Sequence, residues 1–248
     1  MNAFTVGCVP YLNGKPLVCG LEQEATVVYE PPSRLAGLLA RGAVQVALAP
    51  AFHLCSSPGV IVDVGAIVTH GPAESVLLFH RVPPPQIRRL AVNAHSRTSN
   101  ALAHLVLDAL YQRRPEVKTQ EPDLERMLAT ADAAVLIGDY ALAMREAPHP
   151  RIDLGQAWNA LTGLPMVWAV WAAADSKAAA TAEPLLARAK ERGLARLPEI
   201  AEEHSRTSGL AAPFCLRYLA QTMRYDFGAL EREALEEFHR RCRRAGLR

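Results

Sequence analysis

The stretch ATVVYEPPSRLAGLLARGAVQVALAP, residues 25–50, decides the fold. Its first part, Ala25–Tyr29, is a short β-branched run that reads as a strand. Pro31 and Pro32 then open a helix, because proline presets a helical φ and lacks only an N–H that the first turn leaves unpaired anyway. Leu35, Leu38 and Leu39 share one face of that helix. Val44–Ala49 is a second apolar run, stopped by Pro50. Upstream, Phe4–Val9 reads as another strand, and Asn13, Gly14 and Pro16 punctuate the turn after it. Strand, helix, strand in this order implies a parallel sheet with right-handed crossovers.

Downstream, Val60–Val68 and Ser75–Phe79 read as extended runs joined by the turn residues His70, Gly71 and Pro72. Pro83-Pro84-Pro85 is a stiff break. A second series follows it, with strands at Leu90–Val92, Ala133–Ile137 and Pro165–Ala173. Helices alternate with them at Ser99–Leu110, Tyr140–Arg145 and Gln156–Leu161. Beyond Asp175 the pattern is helical throughout, at about 177–192, 195–204, 210–222 and 228–244. We therefore expect an α/β protein of two lobes with a helical C-terminal tail. Residues 1–83 and 175–248 make the first lobe, residues 84–174 the second, and two crossings form a hinge with a ligand cleft between.

Composition narrows the functional class. Half of the 248 residues are hydrophobic, and 27 Lys and Arg oppose 25 Asp and Glu. A net charge of +2 gives no electrostatic case for nucleic acid. The last helix carries Glu231 to Glu237 early and Arg240 to Arg244 late, which complements its dipole. No run approaches transmembrane length, and the opening MNAFTVGCVPYLNGKP lacks the basic start of a signal peptide. The five cysteines form no CxxC pair; Cys8 reads as a small core residue. These features predict a cytoplasmic protein acting on a small molecule, with no nucleic-acid or membrane partner. The oligomeric state stays open.

No GxGxxG, phosphate-binding loop, HExxH or GxSxG is present, so the expected site needs no metal and no organic cofactor. Hydroxyls, amides and backbone donors remain. Ser96-Arg97-Thr98-Ser99 opens an apolar helix, where free N–H groups attract anions and Arg97 offers a bidentate contact; plain N-capping is the competing reading. Tyr11 and Asn13 follow the first strand, and Ser75 begins an extended run. Gly138 and Asp139 close the strand at 133–137, where Asp139 either orients a ligand hydroxyl or caps the next helix. Thr162-Gly163-Leu164 is a tight loop or a helix stop. HSRTS occurs at 95–99 and again at 204–208, and the second copy reads as a coincidence with an N-cap role.

Taken in order, these stretches resemble a known family. Val9-Pro10-Tyr11-Leu12-Asn13, Pro32-Ser33-Arg34-Leu35, Val46–Pro50, Ser75-Val76, Ser96–Ser99, Leu136–Asp139, Thr162–Pro165 and Tyr225–Gly228 follow the order of the chorismate dehydratases of the futalosine route to menaquinone. The resemblance runs from about residue 6 to about residue 240. It implies a type II periplasmic-binding-protein-like fold and a lyase that converts chorismate to 3-[(1-carboxyvinyl)oxy]benzoate and water. A sister enzyme, 1,4-dihydroxy-6-naphthoate synthase, carries a catalytic His in the stretch that here reads Gly138-Asp139, which favours the dehydratase. A non-catalytic small-molecule-binding protein is the reading from another class. The family's functional positions that match here are Asn13, Ser75 and the Thr98-Ser99 helix start; with Asp139 as a candidate base, Asn13, Ser75 and Asp139 are the catalytic candidates. We place the substrate-binding residues at Tyr11, Pro50, Ser96, Arg97, Thr98, Ser99, Gly138, Thr162, Gly163 and Leu164. Two bases are open, Asp139 and the substrate's own enolpyruvyl carboxylate; the absence of His or Glu from these motifs favours the substrate.

Overall fold

The computed structural model of the chain describes residues 4–55 and 59–247. Residues 1–3, 56–58 and 248, which the sequence assigns to the first lobe, lie outside the described residues. The first sheet contains β1 (Thr5–Cys8), β2 (Thr26–Tyr29), β3 (Val46–Pro50), β4 (Val60–Thr69) and β10 (Met166–Ala173), in the order β2-β1-β3-β10-β4. β1 pairs in parallel with β2 and β3, and helix α1 (Pro32–Ala40) crosses between the latter two. The second sheet contains β5 (Val76–His80), β6 (Arg89–Asn93), β7 (Glu116–Gln120), β8 (Ala133–Ile137) and β9 (Arg151–Asp153), in the order β7-β6-β8-β5-β9.

Both sheets are mixed, and the reason is the same in each. In each, the strand that follows a crossing is inserted antiparallel between two others. β10 runs antiparallel to β3 and β4, and β5 runs antiparallel to β8 and β9. This moves the crossings from where the sequence suggested. The chain passes between lobes at 70–75 and returns at 163–165, not at Pro83 and Asp175. All eight residues of β10 are buried, so it needs a neighbour on each side, and the first sheet supplies them. The triple proline only turns β5 into β6 within one lobe.

Helices α2 (Thr98–Tyr111), α3 (Leu124–Thr130), α4 (Gly138–Ala143) and α5 (Leu154–Thr162) belong to the second half. β7, α3 and β9 were not legible in the sequence. β7 is an exposed edge strand without apolar alternation, and β9 spans three residues. The tail is α6 (Ser176–Ala195), α7 (Leu197–Ser208), α8 (Ala212–Arg217) and α9 (Ala229–Arg244). The single helix expected at 210–222 ends early and widens into a π-type turn at Tyr218–Thr222. The second HSRTS copy closes α7 instead of capping a helix start.

The first crossing is clamped by charge. Its backbone turns through Glu74, which holds a left-handed φ of 58°. The N–H groups of Ala73 and Glu74 donate to the Asp153 carboxylate at 2.9 and 2.7 Å. That same carboxylate accepts from Gly155 and Gln156 and caps α5. Glu74 in turn is gripped by Arg217 at 2.8 and 2.6 Å and by the Thr222 hydroxyl at 2.6 Å. Asp153→Ala would strand buried N–H groups and remove a helix cap together. We expect it to lower unfolding free energy by about 2 kcal/mol or more in urea titration. A change below about 0.5 kcal/mol, the size of an ordinary surface substitution, would show that the clamp does not hold the crossing.

Candidate functional site

The cleft between the sheets encloses a narrow cavity of about 50 Å³. Its walls come from strand ends, as the rule for open α/β sheets requires. β1 delivers Val9, Tyr11 and Asn13, and β3 ends in Pro50. The first crossing delivers Ser75 and Val76, the start of α2 delivers Ser96, Thr98 and Ser99, and β8 delivers Ile137 and Gly138. Ser75, Ser96, Thr98 and Ser99 are buried hydroxyls.

Each polar group has an identifiable holder. The Ser96 Oγ accepts from the Ser99 N–H at 3.2 Å, so part of the helix start is a plain cap. The Thr98 Oγ1 accepts from the Phe52 N–H at 3.1 Å across the cleft, which leaves its own proton for a ligand. Asn93 and Asn100 shape the loop between β6 and α2 by reciprocal amide bonds at 2.8 and 3.1 Å. The Asn13 Nδ2 donates to the Tyr218 hydroxyl at 3.4 Å, and the Asn13 Oδ1 is buried without a hydrogen-bond partner among the described residues. The Tyr218 hydroxyl donates to the Ser75 Oγ at 2.8 Å.

Five sequence-derived candidates stand elsewhere. Arg97 is exposed, with its guanidinium 5.5 Å from the Phe52 ring centroid. Thr162, Gly163 and Leu164 build the return crossing. The Thr162 hydroxyl donates to the Trp158 carbonyl at 2.8 Å, and Gly163 ends α5 with φ of 73°. They form a helix stop on the outer face beside α9, away from the cavity. Asp139 begins α4 beside the cavity but turns from it. Its Oδ1 accepts from the Leu12 N–H at 2.9 Å, and its Oδ2 lies 3.5 Å from the Nε2 of His204. Burial raises the Asp139 carboxyl above the usual range, against the Leu12 hydrogen bond and the His204 charge. Burial lowers the His204 imidazole.

Two residues of the site bear no mark in the local sequence, Trp168 on the wall and Tyr218 behind Asn13 and Ser75. Trp168 reaches the cavity because the register of β10 against β4 slips between Val167 and Ala169, a bulge that re-aims the side chain. Its Nε1 donates to the Thr69 hydroxyl at 3.1 Å. Tyr218 comes from the tail, about 140 residues beyond its partner Ser75, as their separation of 143 records. Cys8, expected in the core, is fully buried there, and burial pushes its thiol up to about 12.

Gly138 sets how closely the lobes approach. Its φ is +61°, and a Cβ on it would stand 2.9 Å from the Tyr11 ring. Its N–H also donates to the Ser75 carbonyl at 2.8 Å. We expect Gly138→Ala to cost about 1–2 kcal/mol from backbone strain alone and to displace Tyr11. A variant with unchanged unfolding and unchanged ligand affinity would refute that contact.

Comparison with known proteins places this geometry. Described residues contain no helix long and apolar enough to cross a membrane. Three solved structures share the fold: a protein of Archaeoglobus fulgidus, with a TM-score of 0.79, 16% identity and coverage of 98% of this chain and 97% of that one; a Candida albicans protein said to exhibit the generic periplasmic binding protein fold, with a TM-score of 0.66, 12% identity and coverage of 97% and 90%; and the periplasmic aliphatic sulphonate binding protein of Escherichia coli, with a TM-score of 0.63, 14% identity and coverage of 99% and 88%. The expected periplasmic-binding-protein-like α/β fold is therefore the fold observed. Among curated proteins, the chorismate dehydratase of Thermus thermophilus is 30% identical over 260 aligned positions, covering 96% of this chain and 94% of that protein. A family model described as menaquinone biosynthesis matches residues 4–244. The chain thus belongs to the menaquinone biosynthesis family.

Proposed function

We propose that this protein is a cytoplasmic carbon–oxygen lyase that dehydrates chorismate to 3-[(1-carboxyvinyl)oxy]benzoate and water without a cofactor. One observation carries this reading beyond the family match. Among the described residues lining the cleft cavity, Tyr11 is the single side chain able to ionise, and burial pushes its phenol up to about 12. The remaining polar groups there are neutral donors and acceptors. Such a site suits a substrate that brings its own charges.

Chorismate brings two carboxylates. A helix start with the buried hydroxyls of Thr98 and Ser99 suits one of them, through unpaired first-turn N–H groups and hydroxyl donors. The Asn13 and Ser75 side of the cavity suits the ring hydroxyl. In the reaction, the C–H bond at the ether-bearing ring carbon breaks and its proton passes to the enolpyruvyl carboxylate of the substrate. The released electron pair forms the new ring double bond by way of a dienolate on the ring carboxylate. The neighbouring C–O bond breaks, and the departing hydroxide takes the proton that the enolpyruvyl carboxylate had removed, leaving as water and restoring that carboxylate. Donors fixed near the ring carboxylate stabilise the charge that develops there. Aromatisation drives the step, so the protein mainly orients and excludes water.

The decisive measurement is conversion of chorismate by purified protein, followed by mass spectrometry without added metal or nucleotide and with a chelator present. We expect loss of one water and a product absorbing as an aromatic acid. Tight binding without turnover would make the protein a binder instead.

The base is tested separately. Asp139 faces Leu12 and His204, so Asp139→Asn keeps the Leu12 hydrogen bond and should retain kcat within about tenfold. Loss of a true general base costs about a hundredfold or more. A folded variant that binds chorismate but falls that far would make Asp139 the base.

A further inference from the structure

The hydrogen bonds around Tyr218 run in one direction. The Asn13 Nδ2 donates to the Tyr218 oxygen at 3.4 Å, the Tyr218 hydroxyl donates to the Ser75 Oγ at 2.8 Å, and the Ser75 hydroxyl reaches the Ala73 carbonyl at 3.3 Å. Tyr218 is 1% exposed, and burial holds its phenol well above the ordinary tyrosine range, so it keeps its proton. Its place is fixed from the tail. Tyr218 opens the π-type turn, and the adjacent Arg217 grips Glu74, the residue before Ser75. Tail and crossing are thus tied at consecutive residues on both sides.

This direction decides what the cavity offers. Because the Asn13 nitrogen donates one of its two hydrogens to Tyr218, the amide is oriented so that its buried Oδ1, unpaired among the described residues, is left to a ligand as an acceptor. Because Ser75 receives the phenol proton, its own hydrogen is left with a long bond to Ala73, which a better acceptor displaces. One acceptor and one donor side by side match a hydroxyl group, which is both. We propose that Tyr218 is a positioning residue that polarises Asn13 and Ser75 into a hydroxyl-recognising pair, Asn13 accepting from the substrate's departing hydroxyl and Ser75 donating to it. The role rests on the dehydratase reading, since only the substrate carries that hydroxyl and the product has lost it. As the C–O bond lengthens, the oxygen gains negative charge and the Ser75 hydrogen bond strengthens, so the pair acts more on the transition state than on binding.

The test is Tyr218→Phe, read by kcat and KM for chorismate and by Kd for the product, 3-[(1-carboxyvinyl)oxy]benzoate. We expect kcat to fall about tenfold or more, the effect of roughly one hydrogen bond made in the transition state, with product Kd within about twofold of wild type. Ser75→Ala should cost a similar factor, and the double variant no more than the larger single one, because the two act as one unit. Tyr225→Phe is the control: it removes a neighbouring buried hydroxyl that has no partner among the described residues, and should leave kcat unchanged. If Tyr218→Phe does not fold, 4-fluorophenylalanine at position 218 fills the hydroxyl's space without donating, and should show the same loss. Unchanged kcat, equal loss of chorismate and product binding, or multiplying single effects would each overturn the role. A wild-type protein that does not convert chorismate would overturn the function itself, and this role with it.

Discussion

The Asp153 carboxylate, taking four backbone N–H groups from two segments, is the constraint on which the cleft depends. The chain must leave one sheet and enter the other within a few residues, and a turn that tight strips N–H groups of their ladder partners. A buried unpaired N–H is costly. Asp153 satisfies those of Ala73 and Glu74 with the same carboxylate whose Oδ1 caps α5. Burial raises its carboxyl, and the donated hydrogen bonds offset that burial. Ser75 follows directly, so the clamp sets both the entry of β5 into its sheet and the position of a cavity hydroxyl.

From that anchor the two lobes are brought together by small, specific contacts. Phe52 donates to Thr98, Leu12 to Asp139 and Ser33 to the His95 carbonyl at 3.2 Å. Each joins a backbone N–H on the first lobe to an oxygen on the second. These three contacts are polar, which suits a cleft that opens for a ring-sized ligand and closes over it. The charged residues that sequence patterning brings near the site serve the frame. Asp139, Glu74 and Asp153 all hold backbone or arginine, and none of the three lines the cavity. What faces the ligand is neutral, and a neutral, preorganised site acts on charge that the ligand supplies.

Solved structures under 20% identical share this architecture, among them a sulphonate-binding protein. The fold is therefore a common scaffold, and the distinction between holding a ligand and transforming it lies in a few side chains. On the role proposed above, those side chains in this chain are a serine, an asparagine and a tyrosine drawn from three distant segments.

Much of this was readable in the sequence by itself. Apolar periodicity fixed β1 to β4, α1, α2, β8, β10 and the helical tail, because burial on one face repeats at a strand or helix period whatever the tertiary partner. Turn chemistry marked Tyr11, Asn13, Ser75, Thr98, Ser99 and Gly138, all of which come to the cavity wall. Only the tertiary structure decided the rest. Which sheet receives β5 or β10 depends on the partners each finds, and an apolar run carries no record of its neighbours. Whether Asp139 or Arg97 faces a ligand depends on a rotation about one residue, set by Leu12, His204 and Phe52 from elsewhere in the chain. The helix-stop reading of Thr162-Gly163-Leu164 was available in the sequence, and the fold chose it by placing that loop on the outer face. Tyr218 left no trace, because its meaning is a hydrogen bond to a serine 143 positions away, and long-range pairing is written in no local pattern.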